Sequence, residues 1–265
     1  MEDFWIKFFV CLLAGAGAGL GTGFAGMSAA TVISPMLVTF LGMDAYQAIG
    51  IALASDVLAS ASSAYTYGKN KNLDIKNGVV MMVTVLIMTI VGSIVATFVP
   101  SVAMGNLTIV MTTCLGLKFI ISPVTKTRES LEKKSPRARF IQSVVCGIYV
   151  GFICGFMGAG GGLMMLFVLT VVLGYELKTA VGTSVFIMIF SALFGAVSHF
   201  VIGVQQYDMV IDWLCLGLCI GFTLIFAQIA ALIANKVQAK TLNRLTGIIL
   251  TMLGIVMLIV RFAGK

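Results

Sequence analysis

Apolar residues run in long blocks along this chain, broken by short clusters of Gly, Pro and charge. Ten blocks can be marked. Five of them, at 5–25, 28–41, 46–67, 78–99 and 102–121, precede a basic stretch at 124–139. The other five come after it, at 140–157, 160–173, 178–203, 211–234 and 241–262. Between Asn77 and Leu117 there is no Asp, Glu, Lys or Arg, and about 20 apolar residues already suffice for a helix to cross a bilayer. The pattern predicts an all-α, polytopic helical membrane protein. The second block of each set has about 14 residues. At ~1.5 Å rise per residue that is about 21 Å, short of a hydrocarbon core of about 30 Å, so short broken helices are expected there.

Composition agrees with this. Of 265 residues, 60% are apolar and 10% charged, against roughly 45–50% and about 25% in soluble domains. The net charge of +7 does not point to nucleic acid, because Lys126, Arg128, Lys133, Lys134, Arg137 and Arg139 share one stretch, where they set membrane orientation. The six cysteines lie in apolar blocks without CxxC spacing, and His199 is the single histidine. No metal site is therefore expected, and Cys215 and Cys219, one turn apart, read as packing residues. No nucleotide-binding motif occurs. Scattered acids and one histidine do not assemble the nucleophiles and bases of an enzyme, and no cofactor is called for.

The two sets of blocks repeat. A shift of 132 residues lays Gly19-xxx-Gly23-Phe24-x-Gly26 on Gly151-xxx-Gly155-Phe156-x-Gly158, Leu41-Gly42 on Leu173-Gly174, and Ala48-x-Gly50 on Ala180-x-Gly182. This divides the chain into a first transmembrane repeat, 1–123, a basic linker, 124–139, and a second repeat, 140–265. It also argues against reading Ala14-Gly15-Ala16 as a signal cleavage site, since cleavage there would remove the counterpart of 140–157. Corresponding loops carry opposite charge: Lys69, Lys71 and Lys76 after the third block face Asp208 and Asp212, whereas the uncharged region around Pro100 corresponds to Lys236, Lys240 and Arg244. Basic loops stay cytoplasmic, so the repeats are expected to be inverted, an arrangement found in secondary transporters.

Three features suggest chemistry. Gly26-Met27-Ser28 and Gly158-Ala159-Gly160-Gly161-Gly162 lead into the two short blocks. Non-helical backbone inside a bilayer survives where it is buried in protein or lines a wet cavity, and free N–H groups at a helix start attract anions. The competing reading is close helix packing through small residues. Asp56 lies mid-block on a stripe with Ala52, Ser60, Ser63 and Tyr67. A membrane-embedded carboxylate costs about 2.5–3.5 kcal/mol, so it either serves coupling to a proton or cation or makes a structural hydrogen bond. His199 could relay a proton or simply pack. Thr183 and Ser184 offer hydroxyl donors.

The run Gly151-xxx-Gly155-Phe156-x-Gly158-x-Gly160-Gly161-Gly162, then Ala180-Val181-Gly182-Thr183-Ser184, then Gly195-Ala196-x-x-His199-x-x-x-Gly203, resembles the TauE/SafE sulfite-exporter family of permeases. In the first half Ser28-Ala29-Ala30 stands where the glycine run would be, which shifts the expected site toward the second half. The resemblance implies a secondary transporter, an exporter of sulfite, sulfonates, sulfoacetate or related organic anions across the cytoplasmic membrane. Alternatives are an importer of the same anions or a cation- or proton-coupled carrier using Asp56. The expected substrate-binding residues are Gly26, Ser28, Gly158, Gly160, Gly161, Gly162, Thr183 and Ser184, with Asp56 and His199 for coupling. The expected partners are a small anion, the lipid bilayer, a coupling proton or cation and a second copy of the chain in a homodimer, without nucleic acid.

Overall fold

The computed structural model describes residues 2–96, 110, 113–114, 116–121, 136–157, 161–207 and 210–263. Every element among them is a helix: α1 (Glu2–Ala25), α2 (Ala30–Leu41), α3 (Ala45–Lys69), α4 (Ile75–Ala96), α5 (Pro136–Met157), α6 (Gly161–Phe167, prolonged by a π-helical turn at Val168–Val172), α7 (Leu177–Tyr207), α8 (Trp213–Lys236) and α9 (Ala239–Ala263). Six of these, α1, α3, α4, α7, α8 and α9, are long and apolar enough to cross a membrane, while α2, the apolar part of α5 and α6 are shorter. The protein is a multi-pass membrane protein.

Nine of the ten expected blocks coincide with these helices, and residues 116–121 of the remaining block are helical too. One boundary moves. α5 starts at Pro136, inside the stretch expected as linker, because proline is pre-set for the first helical turn and lacks an N–H there to satisfy. The other starts have visible causes. The Asp44 carboxylate accepts from the amides of Tyr46 (2.9 Å) and Gln47 (3.3 Å) to cap α3, and Asp212 accepts from Cys215 N–H at 3.0 Å to cap α8.

Small residues set how closely the helices approach. α1 runs parallel to α8 with Gly15, Gly19 and Gly23 against it; a Cβ at Gly19 would lie 2.6 Å from Thr223 O and 2.8 Å from Phe226 Cβ. α5 runs parallel to α4 in the same manner, a Cβ at Gly151 falling 2.6 Å from Val85 O and 2.8 Å from Met88 Cβ. Gly19 and Gly151, which the sequence repeat lays on one another, are thus both helix-contact residues. α3 and α7 cross antiparallel at the centre, with Gly50 beside Phe200, Gly195 beside Leu53, and Gly182 beside Tyr67 and Asn72. Without apolar transfer to drive association in lipid, backbone approach of this kind supplies much of the attraction.

The two ends of the bundle differ in charge. At one, Asn72 Nδ2 donates to Asn235 Oδ1 (2.7 Å) and Lys178 Nζ to the Asn235 carbonyl (3.0 Å), which gathers the α3–α4 and α8–α9 turns with Lys69, Lys71, Lys76, Lys236 and Lys240. At the other, Lys7 pairs with Asp212 at 2.6 Å, and Gln47 Nε2 donates to the Val210 carbonyl at 2.5 Å; Asp44 lies here as well.

Candidate functional site

α1 stops at Ala25 because Gly26 takes a left-handed conformation (φ +59°), one that suits glycine and few other residues. Four residues later α2 runs back along α1. Its N-cap, Ala29, has no side chain to offer, and the start of α2 is instead completed from α3. Asp56, 1% exposed, accepts from Ser28 Oγ at 2.6 Å and Ser60 Oγ at 3.0 Å, and a backbone hydrogen bond joins it to Ala29. A carboxylate therefore occupies the positive end of α2, and the Ser28 hydroxyl and Ala29 amide are committed to it.

The start of α6 meets this turn. Gly158 and Gly160 lie outside the described residues, but Gly161 and Gly162 open α6. A Cβ at Gly162 would lie 2.5 Å from the Gly26 carbonyl oxygen and 2.7 Å from Ser28 N, so the start of α6 touches the Gly26–Ser28 turn through backbone. Ser184 Oγ donates to the Gly26 carbonyl at 3.1 Å and holds the contact together. Gly26, Ser28, Asp56, Gly161, Gly162 and Ser184 therefore share one crossing. Thr183 does not join them. Its hydroxyl oxygen accepts from Asp74 N–H at 3.2 Å, tying α7 to the start of α4 together with the bond from Tyr175 Oη to Asp74 Oδ2 (2.9 Å).

Beside the crossing lies a cavity of about 770 Å³ between α3, α4, α6 and α7. Ser28, Asp56, Gly161 and Gly162 line its inner part, and Ser191, Ser198 and His199 continue along α7. The remaining walls are mostly apolar, Leu53, Leu86 and Ile187 among them, as is usual where a few polar groups orient a ligand. No Lys or Arg lines it among the described residues, and Asp56 is the acid on its wall. His199 Nδ1 donates to the Gly195 carbonyl at 2.9 Å, and its ring stacks tilted against Tyr46, centroids 4.9 Å apart. This contact with the first turn of α3 places the His199 side of the cavity toward the end that carries Asp44 and Asp212. Thr183 and Ser184 do not line it.

Sequence reasoning missed the α4 wall, including Thr89. Thr89 back-bonds to the Val85 carbonyl at 2.7 Å, as Thr84 does to Val80 at 2.9 Å, so nothing in the pattern marked one threonine over the other. It also missed Gln228, to which Ser62 Oγ donates a short hydrogen bond and Thr66 Oγ1 one of 3.2 Å. An amide in the middle of the apolar run of α8 was the available signal.

Comparison with known proteins agrees with this architecture. The family model described as "Sulfite exporter TauE/SafE" matches residues 11–257. Over 250 residues the chain is 27% identical to the "Probable membrane transporter protein YunE" of Bacillus subtilis (strain 168), covering 89% of each chain. It is 22% identical over 193 residues to YdhB of the same organism, likewise named a probable membrane transporter, covering 73% of this chain and 79% of that one. A relative of the same description in Methanocaldococcus jannaschii is 24% identical over 207 residues, covering 75% of this chain and 72% of its own. No solved structure matches.

Proposed function

Since the chain belongs to the TauE/SafE sulfite-exporter family of membrane transporters, we propose that it carries small sulfur-containing or organic anions, such as sulfite, sulfonates or sulfoacetate, outward across the cytoplasmic membrane by alternating access. The observation that carries this reading is the cavity at the meeting of the two helix breaks, with Ser28, Asp56, Gly161 and Gly162 at its inner part. A volume of about 770 Å³ is ample for a small oxyanion with some of its water.

The physics of the site assigns distinct tasks. An anion entering beside an ionised Asp56 would be repelled in a medium of low dielectric. A proton on Asp56 removes that charge and lets the Ser28 hydroxyl, now an acceptor from the acid, turn its own hydrogen toward the cavity. Asp56 is therefore the coupling group, the start of α6 at Gly161 and Gly162 supplies backbone donors, and His199 stands at the far end of the α7 wall. No arginine clamp lines the cavity among the described residues to hold an anion too tightly for release.

Alternating access would result from two repeats, 1–123 and 140–265, related by a two-fold axis in the membrane plane, with 124–139 cytoplasmic. Supporting this are the exchange of partners between halves (α1 on α8, α5 on α4), the antiparallel α3–α7 crossing and the gathering of basic turns at one end. Radiolabelled sulfite counterflow in proteoliposomes tests the proposal: the expected result is saturable flux that depends on pH in the wild type and no longer does so in Asp56→Asn. Cation flux across the same vesicles, with sulfite inert, would favour a cation carrier instead.

A further inference from the structure

We infer that the hydroxyl-rich face of α3 formed by Ser62, Ser63 and Thr66 lines a second cavity, open to the basic end, and that Gln228 of α8 is the latch that shuts it in the present conformation. The inference rests on the transporter reading, and deepens it by naming the gate.

The starting point is an asymmetry. α4 and α7 touch near the basic end, where a Cβ at Gly78 would sit 3.3 Å from Phe186 and 3.4 Å from Thr183, and part around the cavity further along. Their counterparts, α8 and α3, stay packed together. The repeat supplies the correspondence in detail. The 132-residue shift lays Phe194, Gly195 and Ser198 of the cavity wall on Ser62, Ser63 and Thr66. On the facing helix, the glycine contacts match Val85 with Thr223 and Met88 with Phe226, so Ile90 falls on Gln228. Ile90 is 66% exposed at the open cavity. Gln228 instead accepts from Ser62 and Thr66. The place that is open in one half is closed by hydrogen bonds in the other.

Ser63 gives independent support. Its hydroxyl is fully buried and has no hydrogen-bond partner, an arrangement proteins seldom keep without a reason. Ser63 corresponds to Gly195, which lines the observed cavity. Exchange of the two halves' conformations would bring Ser63 to water, and Asp56, near the centre of α3, would face the opening from either side. The new lining would be polar, with Ser62, Ser63, Thr66 and Gln228 in place of Phe194, Gly195, Ser198 and Ile90, which suits a mouth through which a hydrated anion enters.

The test is sided labelling with a membrane-impermeant methanethiosulfonate in sealed vesicles, each modified cysteine being located by mass spectrometry against the parent protein's own background. Ser63→Cys is nearly isosteric, and Thr66→Cys serves as a second position. Both should label from the face that carries Lys71 and Lys240, and roughly tenfold faster when Gln228→Ala is added. Ser198→Cys should label from the opposite face, which shows that the bundle is intact. Silence of both positions 63 and 66 from the basic face, with and without Gln228→Ala, overturns the latch. Sulfite counterflow measured on the same vesicles separates the two ideas: labelling without flux refutes the substrate and keeps the gate, whereas flux with positions 63 and 66 silent refutes the gate alone.

Discussion

Replacing Gly19 with alanine tests the close approach of α1 and α8. The added Cβ would lie 2.6 Å from Thr223 O, 2.8 Å from Ala227 N and 2.8 Å from Phe226 Cβ. Two of those neighbours are backbone atoms of α8, which cannot rotate away, so the helices must separate. Overpacking of this kind costs up to about 3 kcal/mol, and alanine returns roughly 0.5–1 kcal/mol of helix propensity. The net expectation is a loss of about 2 kcal/mol. At roughly 2–4 °C per kcal/mol for a chain of this size, the unfolding midpoint of the purified protein in detergent should fall by about 4–8 °C. Gly217→Ala is the internal control: nothing lies within 4 Å of its Cβ position, so only the propensity gain remains, about 0.5–1 kcal/mol. Tryptophan fluorescence at one heating rate reads both. A Gly19→Ala protein as stable as the wild type would refute the contact argument.

Other expectations rest on single contacts. Gly162→Ala should abolish sulfite counterflow while the protein still inserts, because its Cβ would meet Gly26 O at 2.5 Å and Ser28 N at 2.7 Å and force the two turns apart. Tyr67→Phe removes the 2.8 Å bond from Tyr67 Oη to the Gly23 carbonyl and should cost about 0.5–1.5 kcal/mol in thermal stability. Partial burial pushes the Asp212 carboxyl up, but hydrogen bonds from the Cys215 amide and Lys7 outweigh it and leave the group below its ordinary value. A depressed carboxylate contributes stability above its unfolded value of about 3.9, and that contribution is lost as the pH falls through the folded value. Asp212→Asn, which keeps an acceptor for Cys215, should therefore be less stable at pH 7 by under about 1 kcal/mol, the pair with Lys7 being part-exposed, and the difference should close in melts below about pH 4. Asp212→Ala should lose a further ~1 kcal/mol with the cap.

Helices were legible in the sequence wherever an apolar run was bounded by a definite signal. Asp44 caps α3 and Asp212 caps α8, Gly42 (φ 61°) ends α2, and Pro136 opens a helix slightly earlier than charge alone suggested. Tertiary roles were harder to read. Glycine spacing marked the repeat but could not say whether a given glycine faced a helix or a ligand; Gly19 and Gly151 face helices, while Gly162 faces the other turn. Asp56 stood out because a mid-span acid is costly, and the structure gives it Ser28 and Ser60 as donors. Thr183 drew attention, with Ser184, as a hydroxyl donor, yet successive helical residues point about 100° apart, and its oxygen turns to Asp74 instead. Gln228 carried a signal, an amide within an apolar run, but its partners lie more than 160 residues away and nothing local named them.

The partnership of α1 with α8 also bears on how the chain is made. Gly15 meets Phe222 and Gly23 meets Ala230, so the groove that α1 presents is filled by a segment synthesised about 200 residues later. At ~5–20 residues per second, α1 waits in the bilayer for roughly 10–40 s with its glycine face toward lipid. Two-stage assembly tolerates the delay because each helix satisfies its own backbone before it finds a neighbour. The same delay means that a chain halted at the linker holds α1 without α8 and α4 without α5. Such a fragment would expose the glycine groove of α1 and the Thr84–Met88 face of α4, with nothing yet made to cover either.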